Sequence, residues 1–259
     1  MLYTIYMWTV IIVAVLFFGI LGVIFSLLIP VARFRPVYML ISMGWGRTIV
    51  FLSRTKVRFT GKEKVDPQVP YVYISNHQSY FDVISLFAYL PHPIRFVAKK
   101  ELLYLPVFGQ ALWSLGHVIV DRGKSEKARK SMEKAVQKIR RGIPILVFAE
   151  GTRSTDHRLG EFKKGGFFMG IDSQVPLVPV SVAGTAPIMP KGGYRFKKSE
   201  VSIAIGEPVP TEGLDRDDMD WLMKRVRAEM VRNFPPGSPE YEANKDDPVL
   251  QKTGEEKST

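Results

Sequence analysis

A chain of 259 residues that is 46% hydrophobic can bury one sizeable core plus an appendage, while two full domains would strain its length. It contains no cysteine, which excludes disulfides, thiolate metal sites and a cysteine nucleophile together. A formal charge of +11 calls for an anionic partner, and nucleic acid, an anionic membrane surface or a phosphorylated substrate would each satisfy it.

The first element is "MLYTIYMWTVIIVAVLFFGILGVIFSLLIPVA", which has no charged side chain before Arg33. A helix from Tyr6 to Leu28, rising about 1.5 Å per residue, covers the roughly 30 Å hydrocarbon core of a bilayer. It lacks a basic leader and a small-x-small cleavage site, so it reads as an uncleaved membrane anchor and not as a signal peptide. Arg33, Arg35, Arg47, Arg54, Lys56 and Arg58 follow it. By the positive-inside tendency the rest of the chain lies in the cytoplasm, against the cytoplasmic (inner) membrane of the cell. Between these charges Val37 to Ser53 is apolar but short for a span. It reads as a helix lying in the interface, or as the return leg of a re-entrant pair. Residues 1–55 are thus a membrane-anchoring helical segment.

From Lys56 short β-branched runs alternate with helical stretches, the pattern of an α/β domain over residues 56–234, a mixed sheet flanked by helices. The predicted strands are Val57–Thr60, Val69–Ile74, Ile94–Ala98, Val118–Val120, Ile143–Phe148, Leu177–Val182 and Val201–Ile205. The clearest helix is Ser125–Arg141, where Ala128, Met132, Ala135 and Ile139 recur at helical spacing and Gly142 stands at the stop. The last, near Asp215–Phe234, opens on acidic residues suited to the helix dipole. Residues 235–259 are polar and carry six acidic against three basic side chains, which reads as a disordered tail.

Four apolar strands in this domain end in polar residues that could carry chemistry. In "YISNHQSYFDVIS", His77 and Asp82 stand five positions apart at a strand's carboxyl end, the rim where open α/β sheets bind ligands. Imidazole suits a general base, with a carboxylate fixing its tautomer through the other ring N–H. The same residues contain Ser-x-x-Asp, a capping box, which would leave Asp82 merely securing the next helix. In "PILVFAEGTRS", Gly151 permits a tight turn, while Thr152 and Arg153 offer a hydroxyl and a guanidinium fork suited to phosphate; a solvated turn reads equally well. In "FVAKKELLYLPVFGQ", Lys99 and Lys100 close a strand facing the same rim. The two prolines of "VPLVPVSVAGT" point to an edge or irregular strand.

In their order these blocks resemble the acyltransferases of glycerophospholipid synthesis, particularly the 1-acylglycerol-3-phosphate (lysophosphatidic acid) acyltransferases. Asn76, His77 and Asp82 match that family's Asn-His-x4-Asp, and Lys99, Leu102, Leu105, Pro106 and Gly109 match its Lys-x2-Leu-x2-Leu-Pro-x2-Gly. Phe148, Glu150, Gly151, Thr152 and Arg153 match Phe-Pro-Glu-Gly-Thr-Arg, and Val175 to Val180 match Val-Pro-Leu-Val-Pro-Val. The likeness covers residues 56–208. It departs at Ala149, where the family usually has proline, and that implies a looser loop behind Glu150 and Arg153.

The resemblance implies transfer of a fatty acyl group from an acyl-CoA or acyl-ACP (acyl carrier protein) thioester to the sn-2 hydroxyl of lysophosphatidic acid, giving phosphatidic acid. It implies that His77 is the base and Asp82 its orienting partner, that Lys99 and Arg153 hold the acceptor's phosphate, and that Glu150, Gly151 and Thr152 contact its glycerol. Oxyanion donors are expected among the backbone N–H groups where the helix starts near Ser79. Beyond the thioester co-substrate no cofactor and no metal is expected, and the partners are a phospholipid membrane and no nucleic acid. The basic loops Phe162–Gly165 and Met189–Lys198 would attract anionic lipid or the phosphates of coenzyme A, or are simply solvated. Three other readings stay open: acylation of another lyso-lipid, a non-catalytic module that binds anionic lipid, and a thioesterase-like reaction with water by the His77 and Asp82 pair. A serine hydrolase of the Gly-x-Ser-x-Gly type is excluded because no such elbow occurs.

Overall fold

Short β-branched runs, bounded by prolines, glycines or charges, become seven strands in the computed structural model, which describes residues 1–28, 35–121 and 125–252. Arg33 of the basic flank and residues 253–259 of the expected tail lie outside the described residues. The strands are β1 (Val57–Thr60), β2 (Val72–Ser75), β3 (Arg95–Lys99), β4 (Val118–Val120), β5 (Ile145–Phe148), β6 (Leu177–Ala183) and β7 (Val201–Ile205). The predicted starts of β2 and β5 are too early because of prolines: both strands begin after Pro70 and Pro144, which have no N–H to give a ladder.

One sheet of order β1-β7-β6-β2-β5-β3-β4 results, every neighbouring pair parallel except β6 with β7. Strands β2 to β6 therefore run one way, and their carboxyl ends share one rim. Strand β6, expected to be an edge or irregular strand, is central and buried along its length. Its prolines fit because Pro176 precedes the strand and Pro179 stands where the β6–β7 ladder ends, accepting from Gly206 N at 2.8 Å with no return bond required.

The helices are α1 (Leu2–Leu28), α2 (Arg35–Ser53), α3 (Tyr80–Tyr89), α4 (Phe108–Ser114), α5 (Ser125–Arg140), α6 (Lys164–Ser173), α7 (Met219–Arg232), α8 (Pro239–Asn244) and α9 (Val249–Lys252). Strand alternation divides the core into two layers. Tyr73, Leu146 and Val178 join Met7, Ile49, Phe81 and Leu86 on the α1–α4 face, while Val72, Ile74 and Ile145 join Ile139, Phe167 and Leu222 on the other.

Two contacts were not foreseen from sequence. The N-terminal helices belong to the core: α1 and α2 pack antiparallel, with Tyr3 Oη donating to Ser53 O and Tyr6 Oη to Leu52 O. α1 docks along the body from Thr4, which accepts from Phe196 N, to Gly22 against Leu115. Residues 239–252, expected to be disordered, form α8 and α9. Asn244 Oδ1 accepts from Leu159 N at 2.9 Å, its Nδ2 donates to His157 O at 3.0 Å, and the fully buried Glu240 accepts through Oε1 from Gly184 N at 3.2 Å.

Helix α2 meets α3 closely because position 46 has no side chain; a Cβ there would lie 2.7 Å from Ala88 N and Ile84 O, both backbone. Gly46→Ala is expected to destabilise the protein by about 1–3 kcal/mol, the usual cost of overpacking. A chemical denaturation curve with an unchanged midpoint would show that the two helices do not depend on this approach.

Candidate active site

Strand β2 stops at Ser75 because the next residue turns its side chain to ladder duty: Asn76 Nδ2 donates to Val182 O and Asn76 Oδ1 accepts from Val182 N, both at 2.8 Å. That pairing prolongs β2 against β6 and throws His77 out at the rim. Ser79 then caps α3, its Oγ accepting from Phe81 N, and Asp82 completes the capping box.

Asp82 also holds His77. Its Oδ2 accepts His77 Nδ1 at 2.7 Å together with Gln78 N at 2.7 Å and Ser79 N at 2.8 Å, and its Oδ1 accepts the hydroxyl of Thr185 at the end of β6. An oxygen that takes two backbone N–H bonds is an acceptor, which places the imidazole proton on Nδ1 and the lone pair on Nε2. The two readings of Asp82, cap and partner of His77, are both met by one carboxylate. The cost falls on the expected oxyanion donors, since Gln78 N and Ser79 N already point at Asp82.

Behind the ring, Phe148 stacks on His77 at 3.9 Å between centroids and 16° between planes. The backbone of His77 is held at both ends: its N–H donates to Glu150 Oε1 at 3.1 Å and its carbonyl accepts from Ser154 N at 2.8 Å. The other oxygen of Glu150 accepts from Gly160 N at 3.0 Å. Glu150, 5% exposed, is thus committed to bracing the loop through both oxygens. Burial pushes its carboxyl above the usual range, against the pull of the Gly160 and His77 N–H groups.

The loop turns at Gly151, whose φ of +67° belongs to the left-handed region. Ala149 does not loosen it: the Ala149 N–H, which a proline would lack, donates to Ser75 O at 2.9 Å, and its carbonyl accepts from Lys163 N at 2.7 Å. Arg153 lies with its guanidinium carbon 3.9 Å from the Tyr80 ring centroid, and its Nη1 is buried without a hydrogen-bond partner. Thr152 is exposed, with Oγ1 3.5 Å from Lys191 Nζ.

Of the predicted site residues, His77, Asp82, Glu150, Gly151, Thr152 and Arg153 come together at the ends of the neighbouring strands β2 and β5. Lys99 ends β3, on the far side of β5 from β2, and is half exposed and paired with Glu101 at 3.4 Å. Sequence reading matched Phe148 to a motif without giving it a role, and gave none to Thr185 or Tyr80. Thr185 could have been found, because it ends the "VPLVPVSVAGT" strand on the same rim. The other histidines lie elsewhere: His92 bonds Tyr73, His117 is buried and accepts from Phe96 N, and His157 bonds Glu240.

A glutamine at position 150 could accept only one of the two N–H bonds and would set its NH₂ against the other donor. Glu150→Gln is expected to cost about 1–3 kcal/mol of stability and to lower turnover by displacing His77. Because the folded-state pKa of Glu150 is raised, its own stabilising contribution is full at acid pH and fades as pH rises through the carboxylate range, so the gap between wild type and variant should narrow. Denaturation midpoints measured across that range check the sign; a gap that widens with pH contradicts it.

The comparisons with known proteins agree on one family. A family model described as Acyltransferase matches residues 56–183. The chain is 34% identical over 187 residues to the human 1-acyl-sn-glycerol-3-phosphate acyltransferase alpha, covering 72% of this chain and 66% of that protein, just under two thirds of its length. It is 31% identical over 221 residues to the 1-acyl-sn-glycerol-3-phosphate acyltransferase of Limnanthes douglasii, covering 83% and 76%. Its fold is similar to the crystal structure of the 1-acyl-sn-glycerophosphate (LPA) acyltransferase PlsC from Thermotoga maritima, with a TM-score of 0.76, 26% identity, and 87% and 92% of the two chains covered. With this site on this sheet, the chain belongs to the 1-acyl-sn-glycerol-3-phosphate acyltransferase family.

Proposed function

We propose that the protein is a membrane-associated acyltransferase that moves a fatty acyl group from a thioester to the sn-2 hydroxyl of lysophosphatidic acid, giving phosphatidic acid. One observation carries this reading: His77 is locked through Nδ1 to a buried carboxylate, which leaves Nε2 as a base, and the Ser154 N–H that holds its carbonyl adjoins Arg153, whose Nη1 is buried and unpaired. A base and an anion receptor at the same rim suit an acceptor bearing both a hydroxyl and a phosphate.

In the proposed reaction the acceptor hydroxyl gives its proton to His77 Nε2 as its oxygen bonds the thioester carbonyl carbon. The tetrahedral intermediate collapses, the C–S bond breaks, and the imidazolium returns the proton to the leaving sulfur. Asp82 stabilises the imidazolium meanwhile. The thioester is already activated, so direct attack suffices and no acyl-enzyme is formed. Holding the phosphate so that the hydroxyl meets Nε2 supplies much of the rate. Arg153 is the first candidate for that hold, with Lys99 at the neighbouring strand end. Acyl-CoA and acyl carrier protein both fit as donor.

The acceptor's apolar chain supplies the reason for α1, whose mean hydropathy of 3.0 makes it the one helix among the described residues long and apolar enough to cross a membrane. Ile5, Ile12, Leu16 and Ile20 face outward on it, opposite the side docked on the body. A helix so docked suits lying within one leaflet beside the domain better than standing clear through both. The domain would then sit on the cytoplasmic face, as the basic residues after α1 favour.

Thiol release from acyl-CoA and from acyl carrier protein, measured in detergent-purified protein with and without lysophosphatidic acid, tests the function. Release that depends on the acceptor and yields phosphatidic acid is expected, and folded His77→Ala should lose roughly 10²- to 10⁴-fold in kcat/KM. Release without the acceptor would point to a hydrolase, and no release despite tight binding to anionic vesicles would favour a lipid-binding module.

A further inference from the structure

Arg153 Nη1 is a buried donor with nothing to meet it, a costly state that an anion relieves. A second cation stands against the same loop. Lys191 Nζ donates to Arg153 O at 2.9 Å and lies 3.5 Å from Thr152 Oγ1. An ammonium has three N–H donors, so at least one remains for a ligand. Among the described residues neither Lys191 nor Arg153 forms an ion pair with a carboxylate.

The position of Lys191 is set from both sides. On one side Met189 O accepts from Ser79 Oγ at 3.0 Å, at the cap of α3. On the other, Tyr194 O accepts from Trp8 Nε1 at 3.1 Å and Phe196 N donates to Thr4 Oγ1 at 3.2 Å, both on α1. Residues 189–196 thus strap the first helix to the catalytic rim, with Lys191 at the rim end. Of this loop's other cations, Arg195 lies against Tyr194 and Lys198 against Tyr3.

We propose that Lys191 is a second phosphate-binding residue of the acceptor site, sharing a phosphate monoester with Arg153. A phosphate monoester carries about −1.5 to −2 at neutral pH, which one arginine only partly balances. Lys191 and Arg153 together match it, and Thr152 Oγ1 adds a neutral donor beside them. This inference deepens the acyltransferase reading and rests on it for the identity of the ligand.

The test compares wild type with Lys191→Gln, which keeps a donor for Arg153 O but loses the charge, and Lys191→Arg, which keeps the charge. The glutamine variant is expected to raise KM for lysophosphatidic acid about tenfold to a hundredfold, the loss typical of one charge-assisted hydrogen bond. Its kcat should stay within about threefold and the arginine variant should recover most of the KM, since the group binds and does not react. Unchanged KM in the glutamine variant, or equal damage from both substitutions, overturns the proposal. So does a rise confined to KM for acyl-CoA, which would give Lys191 to the donor's phosphate. Calorimetric titration of the same proteins with lysophosphatidic acid and with uncharged 1-acylglycerol keeps the two conclusions separable. Wild type that forms no phosphatidic acid would sink the proposed function, whereas the charge dependence of binding would still decide for or against Lys191.

Discussion

A carboxylate with no exposure to water must find donors for both oxygens, and Asp82 finds four of them: His77 Nδ1, Gln78 N, Ser79 N and the Thr185 hydroxyl. Each donor comes from a part of the fold that must be in place first. The two backbone N–H groups belong to the N-cap Ser79 and to Gln78 just before it, and they meet Asp82 because α3 starts at Tyr80 and sets that carboxylate in its first turn. The threonine arrives from the end of β6, and the histidine is delivered by the turn after β2. The negative charge is further favoured at a helix N-terminus by the dipole. Helix, two strands and the His77 side chain are thereby tied to one pair of oxygens, so the site cannot loosen without exposing a buried charge.

The ring of His77 is fixed by more than its partner. Phe148 covers one face, Glu150 takes the backbone N–H and Ser154 N meets the carbonyl, which leaves little freedom except at the Nε2 edge. Catalytic groups act best when their supporting contacts hold them before substrate arrives. Glu150 passes that support outward through Gly160, whose carbonyl accepts from Arg227 of α7, while Asn244 of α8 holds Leu159 and His157. The C-terminal helices thus reach His77 through a chain of polar contacts across residues 157–160.

How much of this the sequence disclosed depends on the range of the interaction. The strand-end position of His77, and Asp82 five residues on, were legible because both follow from local pattern. Whether Asp82 was cap or partner could not be settled from spacing, since the geometry that caps α3 also points the carboxylate at His77, two residues before the cap. Pro176 and Pro179 suggested an edge strand because proline removes a donor. Which ladder needed that donor is a fact of pairing, and pairing is not written in one strand. Glu240 and Asn244 looked like solvated tail residues because hydrophobic periodicity records burial of apolar groups and is silent about polar groups that bond distant backbone. Lys191 was one lysine among several in a basic loop until the strap gave it a place.

The strap also answers a conflict built into the proposed acceptor, which joins a dianionic phosphate to a chain whose transfer from lipid to water costs about 0.8 kcal/mol per CH₂. A site for such a molecule must keep its cations hydrated or paired while its apolar end stays near hydrocarbon. Here the outward face of α1 is apolar, and the strap from Phe196 back to Lys191 carries the chain from that helix to the cation pair at the rim. Small residues make the docking close: a Cβ at Gly19 would meet Val107 at 2.8 Å. Because α1 is packed against the body and not hung from it by a linker, the height of its apolar face fixes the height of His77 Nε2 and Arg153 relative to any surface α1 enters. Placement of the site at that surface is then a property of core packing, sensitive to a methyl group at Gly19, and not only of how strongly the N-terminus partitions into lipid.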